Sequence, residues 1–245
     1  MKINYSYNKK GYVVIKNFFN LSHIKLIKKN IDQYLKKSLN NTIKKKSEIN
    51  LSKGKINSIH TLYSYKKKFY EIYKNKKLQK ILTQLLGKKI KLRAIELFAK
   101  PAHVGLPSPM HQDNFYWNIK NSKGLTVWVC LDQSNNKNGG LSYIPQSHNS
   151  GTLEHEPSFA PGSSQAVKKS VLKKIKKNFG IDTPKLYAGD ICIHSCQIVH
   201  GSSRNTSNND RQGFTMQFKA AYAKYDWKKI NLYRKSLKKQ IGIRK

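Results

Sequence analysis

Between residues 89 and 225 the apolar residues of this chain recur at a spacing of two, in short stretches bounded by Gly, Pro and Asn. That spacing belongs to strands, whose successive side chains point to opposite faces. IKLRAIELFAK (90–100) reads as one long strand. The Pro- and Gly-rich PAHVGLPSP then breaks the chain before a strand carrying HQD. KGLTVWVCLD (123–132), LSYIP after the turn NNKNGG, KLYAG, DICIHSCQIVHGS and GFTMQFKAAYAK complete the set. SSQAVKKSVLKKIKKNF (163–179) has helical spacing and reads as an insertion between strands. Many short strands with such turns predict a mainly β architecture with flanking helices. The core at 89–225 is expected to be a double-stranded β-helix, a relative of jelly rolls and cupin barrels.

The first third of the chain follows a different period. GYVVIK (11–16) is a short β-branched run, but Ile24, Ile27, Ile31, Tyr34 and Leu35 recur at helical spacing over 21–39, with Asn20 or Ser22 placed to cap the start. Phe69, Ile72, Tyr73, Leu78, Ile81, Leu82 and Leu85 predict one further helix over about 67–86, closed by Gly87. The Asn-, Lys- and Ser-rich residues 40–58 read as a loop between them. These helices, at 20–87, are expected to pack on the sheet and to carry no chemistry. The basic tail 226–245 packs as a short helix or frays. At 245 residues, with no linker and no internal repeat, a single domain spanning 1–245 is expected.

The chemistry centres on His111, Asp113 and a distant His200. In an extended HQD segment His111 and Asp113 share a face while Gln112 points away. An imidazole from a neighbouring strand, His200, completes two nitrogens and one carboxylate on one side. That is the ligand set of a non-haem Fe(II) oxygenase, with three positions left open. The bland alternative makes His111 and His200 ordinary polar residues at strand ends. His194 lies six residues before His200 on what reads as one continuous strand, about 20 Å away and out of reach of the same metal. It is read, with His103, His148 and His155, as structural or superficial.

Several separated motifs occur in one order: GYVVIKNFF at 11–19, HQD at 111–113, NGGLSYIPQSH at 138–148, AGD at 188–190, and HGSSRN followed by Arg211. Together they resemble the phytanoyl-CoA dioxygenase family of iron- and 2-oxoglutarate-dependent oxygenases, over roughly residues 8–226. The resemblance implies Fe(II) held by His111, Asp113 and His200, 2-oxoglutarate as cosubstrate and O2 as oxidant, with succinate and CO2 released. It implies that Arg211 pairs with the distal carboxylate of 2-oxoglutarate. Arg204 competes for that role but stands in the loop-like SSRNTSNND. Ser202 is placed to add a hydroxyl to the same carboxylate, although a turn serine explains it as well. Trp128 matches a position lining the cosubstrate site, and LTVWVCLD is equally good core strand.

Trp117, Tyr116 and Lys100 are the candidates for contact with the substrate. The rim also includes Phe115 and the segment 151–165, which mixes aromatics with Glu154, His155 and Glu156 and lacks a long apolar lid. That composition favours a small polar metabolite. The same chemistry on an acyl-CoA or a nucleic acid is the alternative, as is a zinc-type barrel with non-oxidative activity.

The formal net charge of +36 suggests a nucleic-acid or anionic-membrane surface. Its make-up argues otherwise, because 43 of the 48 basic residues are lysine and few have the planar fork that grips phosphate. Residues 101–165 hold three lysines against four acidic residues. The charge therefore reads as surface composition, and no specific nucleic-acid partner is expected. No run of 18 apolar residues occurs, so no membrane span is expected, and the opening residues lack the apolar stretch of a signal peptide. Three cysteines in strand-like runs read as reduced thiols of a cytoplasmic protein. Nothing in the sequence fixes the oligomeric state.

Overall fold

The computed structural model describes residues 2–39, 49–60, 62–158, 160 and 164–244. It opens with a helix, α1 (Lys2–Lys10), ahead of β1 (Tyr12–Ile15) and α2 (Leu21–Leu39). Asn20 caps α2, its Oδ1 accepting from the His23 amide at 3.1 Å. The expected loop at 40–58 is in part a hairpin, β2 (Ile49–Ser52) and β3 (Lys55–Ile59). Lys53 and Gly54 join the strands with φ of 46° and 74°, the left-handed pair that a two-residue hairpin turn requires. Residues 40–48 lie outside the described set.

The single helix expected over 67–86 is broken. A 3-10 stretch (Leu62–Phe69) leads into α3 (Tyr70–Tyr73), and α4 (Lys76–Leu86) starts afresh. Asn75 makes the break: its ψ of 124° is extended, and its side chain accepts from the Leu78 amide at 3.1 Å. An apolar stripe continues across such a break, so periodicity alone does not reveal it.

The remaining elements are β4 (Ile90–Lys100), β5 (Ser108–His111), α5 (Asp113–Trp117), β6 (Gly124–Cys130), β7 (Leu141–Tyr143), β8 (His155–Pro157), β9 (Gln165–Val167), α6 (Lys169–Phe179), β10 (Ile191–Ser195), β11 (His200–Ser202), β12 (Arg211–Ala220) and α7 (Trp227–Arg244). Several differ from expectation. The HQD segment is not all strand: β5 ends at His111 and Asp113 opens α5. The helical insertion begins only at Lys169, since Gln165–Val167 pairs with β8. KLYAG contributes one bridge, Leu186 to Ser134, and no strand. DICIHSCQIVHGS is two strands in different sheets, separated by a turn. The tail is an ordered helix, α7, that reaches back to α5.

The large sheet has the order β1-β10-β6-β12-β4-β3-β2, and a small sheet has β5-β11-β7. Together they form a double-stranded β-helix with flanking helices, and the fold class is the one expected. One face of the large sheet is apolar: Ile95, Leu97, Val127, Val129, Phe214, Met216 and Ile193 are buried against Ile27, Ile31 and Tyr34 of α2 and Leu78 and Leu82 of α4. The other face looks toward the small sheet and is polar beside a smaller apolar cluster that includes Trp128, Cys130 and Cys192. It carries Glu96, Lys100, Thr126, His194, Arg211, Thr215 and Gln217. No helix among the described residues is long and apolar enough to cross a membrane.

Candidate active site

A cavity of about 370 Å³ opens between the two sheets, lined by His111, Asp113, His200, Arg211, Ser202, Trp128, Trp117, Tyr116 and Lys100, whereas the rim candidates Phe115, Glu154, His155 and Glu156 are not among its lining residues. Gln112 is in the extended conformation (φ −118°, ψ 130°), so His111 and Asp113 still project to one side although Asp113 begins a helix. His200 sits directly across the β5–β11 ladder from His111, and their ring centroids are 4.4 Å apart. Asp113 Oδ1 stands 3.9 Å from His111 Nε2 and 3.8 Å from His200 Nε2.

The wiring behind these groups shows what they are arranged to hold. His111 Nδ1 lies 2.8 Å from the Pro109 carbonyl and His200 Nδ1 lies 3.1 Å from the Ile198 carbonyl. A carbonyl only accepts, so each Nδ1 carries the proton and each Nε2 turns a lone pair inward. Burial pushes both imidazoles down to about 4, which keeps them neutral near pH 7. Burial also opposes the charge on Asp113, but the neighbouring histidines hold its carboxyl well below the usual range. Three electron pairs thus converge at separations too long for hydrogen bonds. A divalent cation is what satisfies that set, and among the described residues these three form the one such cluster.

The second oxygen of Asp113 is held from behind. Thr126 donates to Oδ2 at 2.7 Å, and His194 Nε2 lies 3.5 Å from it. This corrects the reading of His194 as remote. Because β10 stops at Ser195 and the chain turns before β11, His194 comes back beside His200, with ring centroids 4.6 Å apart. Its Nδ1 lies 3.1 Å from the Tyr143 hydroxyl, and its Nε2 is buried with no hydrogen-bond partner. His155 is also closer than expected. It stacks on Phe115 at 4.1 Å, and its Nε2 accepts from the Gln112 amide at 3.3 Å.

At one end of the cavity Arg211 is 2% exposed. Its Nη2 donates to the Gly139 carbonyl at 2.7 Å, its Nη1 to the Phe98 carbonyl at 3.3 Å, and its buried Nε to nothing. The guanidinium lies 5.7 Å from the centre of the Trp128 ring. That ring crosses Gly213 so closely that a Cβ there would be 2.1 Å from it. Lys100 is the cross-strand neighbour of Arg211 and lies at the same end of the cavity. Its Nζ donates to the Leu106 carbonyl. Burial, then the charge of Arg211, pushes Lys100 down to about 7. Two buried cations with no carboxylate partner among the described residues suit the distal carboxylate of a dicarboxylate. Arg204 is exposed and takes no part.

The opposite end was not read from the sequence. Arg93, Glu96, Gln217 and His60 line it. Gln217 pairs with Ala94 but Phe218 with Leu92, so Arg93 is the extra residue of a β-bulge. The bulge re-aims Arg93 to the cavity face, where it lies 4.6 Å over the Trp117 ring. Strict alternation from Glu96 would have sent it to the apolar face. Above the metal triad, Tyr233 of α7 packs edge-on against Phe115 and Tyr116, with centroids 6.0 and 5.6 Å away. Of the 151–165 rim, residues 159 and 161–163 lie outside the described set.

The family model of phytanoyl-CoA dioxygenase (PhyH) matches residues 7–213. A probable alpha-ketoglutarate-dependent hypophosphite dioxygenase of Stutzerimonas stutzeri is 22% identical, over 89% of this chain and 77% of that one. Phytanoyl-CoA dioxygenase domain-containing protein 1 of Danio rerio is 27% identical over 64% of this chain and 54% of its own length, so the chain spans about half of that relative. Among solved structures, EctD from S. alaskensis with 2-oxoglutarate and 5-hydroxyectoine superposes with a TM-score of 0.75 at 19% identity, covering 91% of this chain and 76% of that one.

Proposed function

The chain belongs to the phytanoyl-CoA dioxygenase family and is a non-haem Fe(II)- and 2-oxoglutarate-dependent dioxygenase, and we propose that it hydroxylates a small polar metabolite, releasing succinate and CO2. The observation that carries this reading is the pairing, across one cavity, of three inward lone pairs with a buried cation that lacks a counter-charge. Size supports the substrate class, because about 370 Å³ has to hold 2-oxoglutarate as well as the substrate. The hypophosphite specificity in the Stutzerimonas relative's name points the same way.

In this reading His111, Asp113 and His200 hold the metal from one side, Arg211 with Lys100 anchors the distal carboxylate of 2-oxoglutarate, and Ser202 and Trp128 shape its seat. Bound iron and 2-oxoglutarate supply the oxidising power with O2, as cofactors do in such enzymes. The protein's part is orientation and exclusion of water. Thr126 holds Oδ2 of Asp113 and leaves Oδ1 to face the histidines. Tyr116, Phe115 and Tyr233 cover the approach, which makes α7 part of one catalytic unit with the barrel.

The test is metal analysis together with a 2-oxoglutarate-to-succinate assay over a library of small polar compounds and long-chain acyl-CoAs. Iron-dependent succinate release, stimulated by a small polar compound and abolished in His111→Ala and Asp113→Ala, is expected. A zinc protein indifferent to 2-oxoglutarate, or a fully active Asp113→Ala protein, would overturn the reaction class. Stimulation by long-chain acyl-CoA alone would overturn the substrate class.

A further inference from the structure

The end of the cavity away from Arg211 carries two charges of opposite sign that do not neutralise each other. Arg93 Nη1 donates to the side-chain carbonyl of Gln217, and Gln217 Nε2 donates to Glu96 Oε2 at 2.5 Å. A neutral amide therefore stands between the guanidinium and the carboxylate, and no ion pair joins them among the described residues. Asn50 Nδ2 donates to Ser58 Oγ at 3.0 Å, and Ser58 Oγ lies 3.0 Å from His60 Nε2. His60 Nδ1 lies 2.9 Å from Glu96 Oε1, so this imidazole backs the carboxylate from the protein side. Arg93 and Glu96 are thus joined to each other only through the Gln217 amide, and both line the cavity.

The position of this wall ties it to the reaction centre. Gln217 is the direct cross-strand partner of Thr126, the residue that grips Asp113, and His194 is the partner of Thr126 on its other side. One row across the sheet therefore runs from His194 through Thr126, which grips Asp113, to Gln217, which bridges Arg93 and Glu96. Along β12 Gln217 is six residues from Arg211, about 20 Å of strand, and Thr215, the partner of Glu96, is four, about 13 Å. The cosubstrate's anchor and the charged wall lie at opposite ends of one cavity, so one dicarboxylate does not occupy both.

We propose, building on the function proposed above, that the substrate is a zwitterion of amino-acid type whose carboxylate is taken by Arg93 and whose ammonium group is taken by Glu96. Buried charges are tolerated where they are paired, and a ligand with both signs pairs both at once. The amide of Gln217 fixes the spacing of the two poles. Trp117 beneath Arg93 holds the guanidinium plane in place for a carboxylate. A purely anionic ligand would leave Glu96 facing like charge, and a purely cationic one would do the same to Arg93.

The experiment uses the full chain loaded with Fe(II) and 2-oxoglutarate. The probes are the proteinogenic amino acids, each beside its N-acetyl and its carboxamide derivative, read by substrate-stimulated succinate release and by thermal shift. Free amino acids are expected to stimulate, and loss of either charge to weaken binding about 10- to 100-fold. Glu96→Gln is expected to raise the KM for the free amino acid while lowering it for the N-acetyl form, a crossing of preference that general damage does not produce. Arg93→Lys, which keeps the charge, should recover part of what Arg93→Gln loses. A wild-type protein that consumes 2-oxoglutarate unaided but responds to no free amino acid would overturn the zwitterion and leave the dioxygenase standing. Variants that shift the KM for all three forms alike would overturn it too. A protein inert to 2-oxoglutarate would overturn both readings.

Discussion

The two faces of the large sheet are made by the same strands, residue by alternate residue, and they do opposite work. On the back face Ile95, Val127, Phe214 and Met216 are fully buried and matched by the chain's own helices. On the front face Thr126, Arg211 and Gln217 are also nearly buried, yet Arg211 Nε finds no partner, and Arg93 and Glu96 are bridged by the Gln217 amide without pairing with each other. The back face is complete as folded. The front face is complete only with something bound, because unmatched polar groups and charges in a low-dielectric interior cost free energy. Stability should therefore reside behind the sheet and binding in front of it.

The largest separation of the two comes from truncating a back-face aromatic. Phe214 is 0% exposed and packs on Phe69 with centroids 4.9 Å apart. Phe214→Ala should cost about 3–5 kcal/mol of stability, seen in denaturant melts. The protein that remains folded at low temperature should keep its affinity for 2-oxoglutarate. If that affinity collapses as well, the faces are not independent.

The matching front-face change is Arg211→Met. It removes a buried cation, so the ligand-free protein should melt at the same temperature or higher. The dissociation constant for 2-oxoglutarate, measured calorimetrically, should rise about 100-fold, or 2–3 kcal/mol. A large loss of stability with binding intact would reverse the assignment of roles.

A sharper test lies at the boundary, at His194. It touches Asp113 from behind and does not belong to the ligand cluster. Its Nδ1 lies 3.1 Å from the Tyr143 hydroxyl and its Nε2 lies 3.5 Å from Asp113 Oδ2. It is a positioning residue. His194→Phe should lower metal affinity about 10- to 100-fold, read as competition with a chelator, while metal stoichiometry stays unchanged. Unaltered affinity would make His194 mere packing.

How much of this was legible in the sequence follows the same division. The back face and the helices over it were readable because burial leaves a period, 2 in Ile90–Lys100 and 3.6 in Leu21–Leu39. The metal triad was readable because His111, Asp113 and His200 carry chemistry at strand ends, and the family motifs supplied Arg211. What failed were departures from period. The break at Asn75, the hairpin at Lys53-Gly54 and the turn between Ser195 and His200 each depend on a few residues that do not alter the apolar count. That last turn is why His194 was placed some 20 Å from a site it touches. The bulge at Arg93 is the same kind of event, and it hid the charged wall. Two signals were nonetheless present: Glu96 shares the alternation phase of Lys100, and the residue 121 positions after it is Gln217, an amide amid the apolar GFTMQF.

The smallest expected effect tests whether the front face is really held at a cost, and it turns on Lys100. Burial and Arg211 depress its folded value to about 7 from 10.5. Below about pH 7 the lysine is charged in both the folded and the unfolded chain, and the folded state bears the full penalty. Between about 7 and 10.5 the folded protein releases the proton while the unfolded chain keeps it, so stability without ligand should rise with pH across that window. From pH 7 to pH 8 the gain is about 1 kcal/mol, measurable as a shift in denaturant midpoint. Lys100→Met should flatten this slope. Saturating 2-oxoglutarate should flatten it as well, because a carboxylate beside Lys100 restores the charged form, and calorimetry at pH 8 in buffers of different ionisation enthalpy should register the proton taken up on binding. A slope unaffected by either would mean that Lys100 sees solvent, and that the two faces of the sheet differ less than their burial suggests.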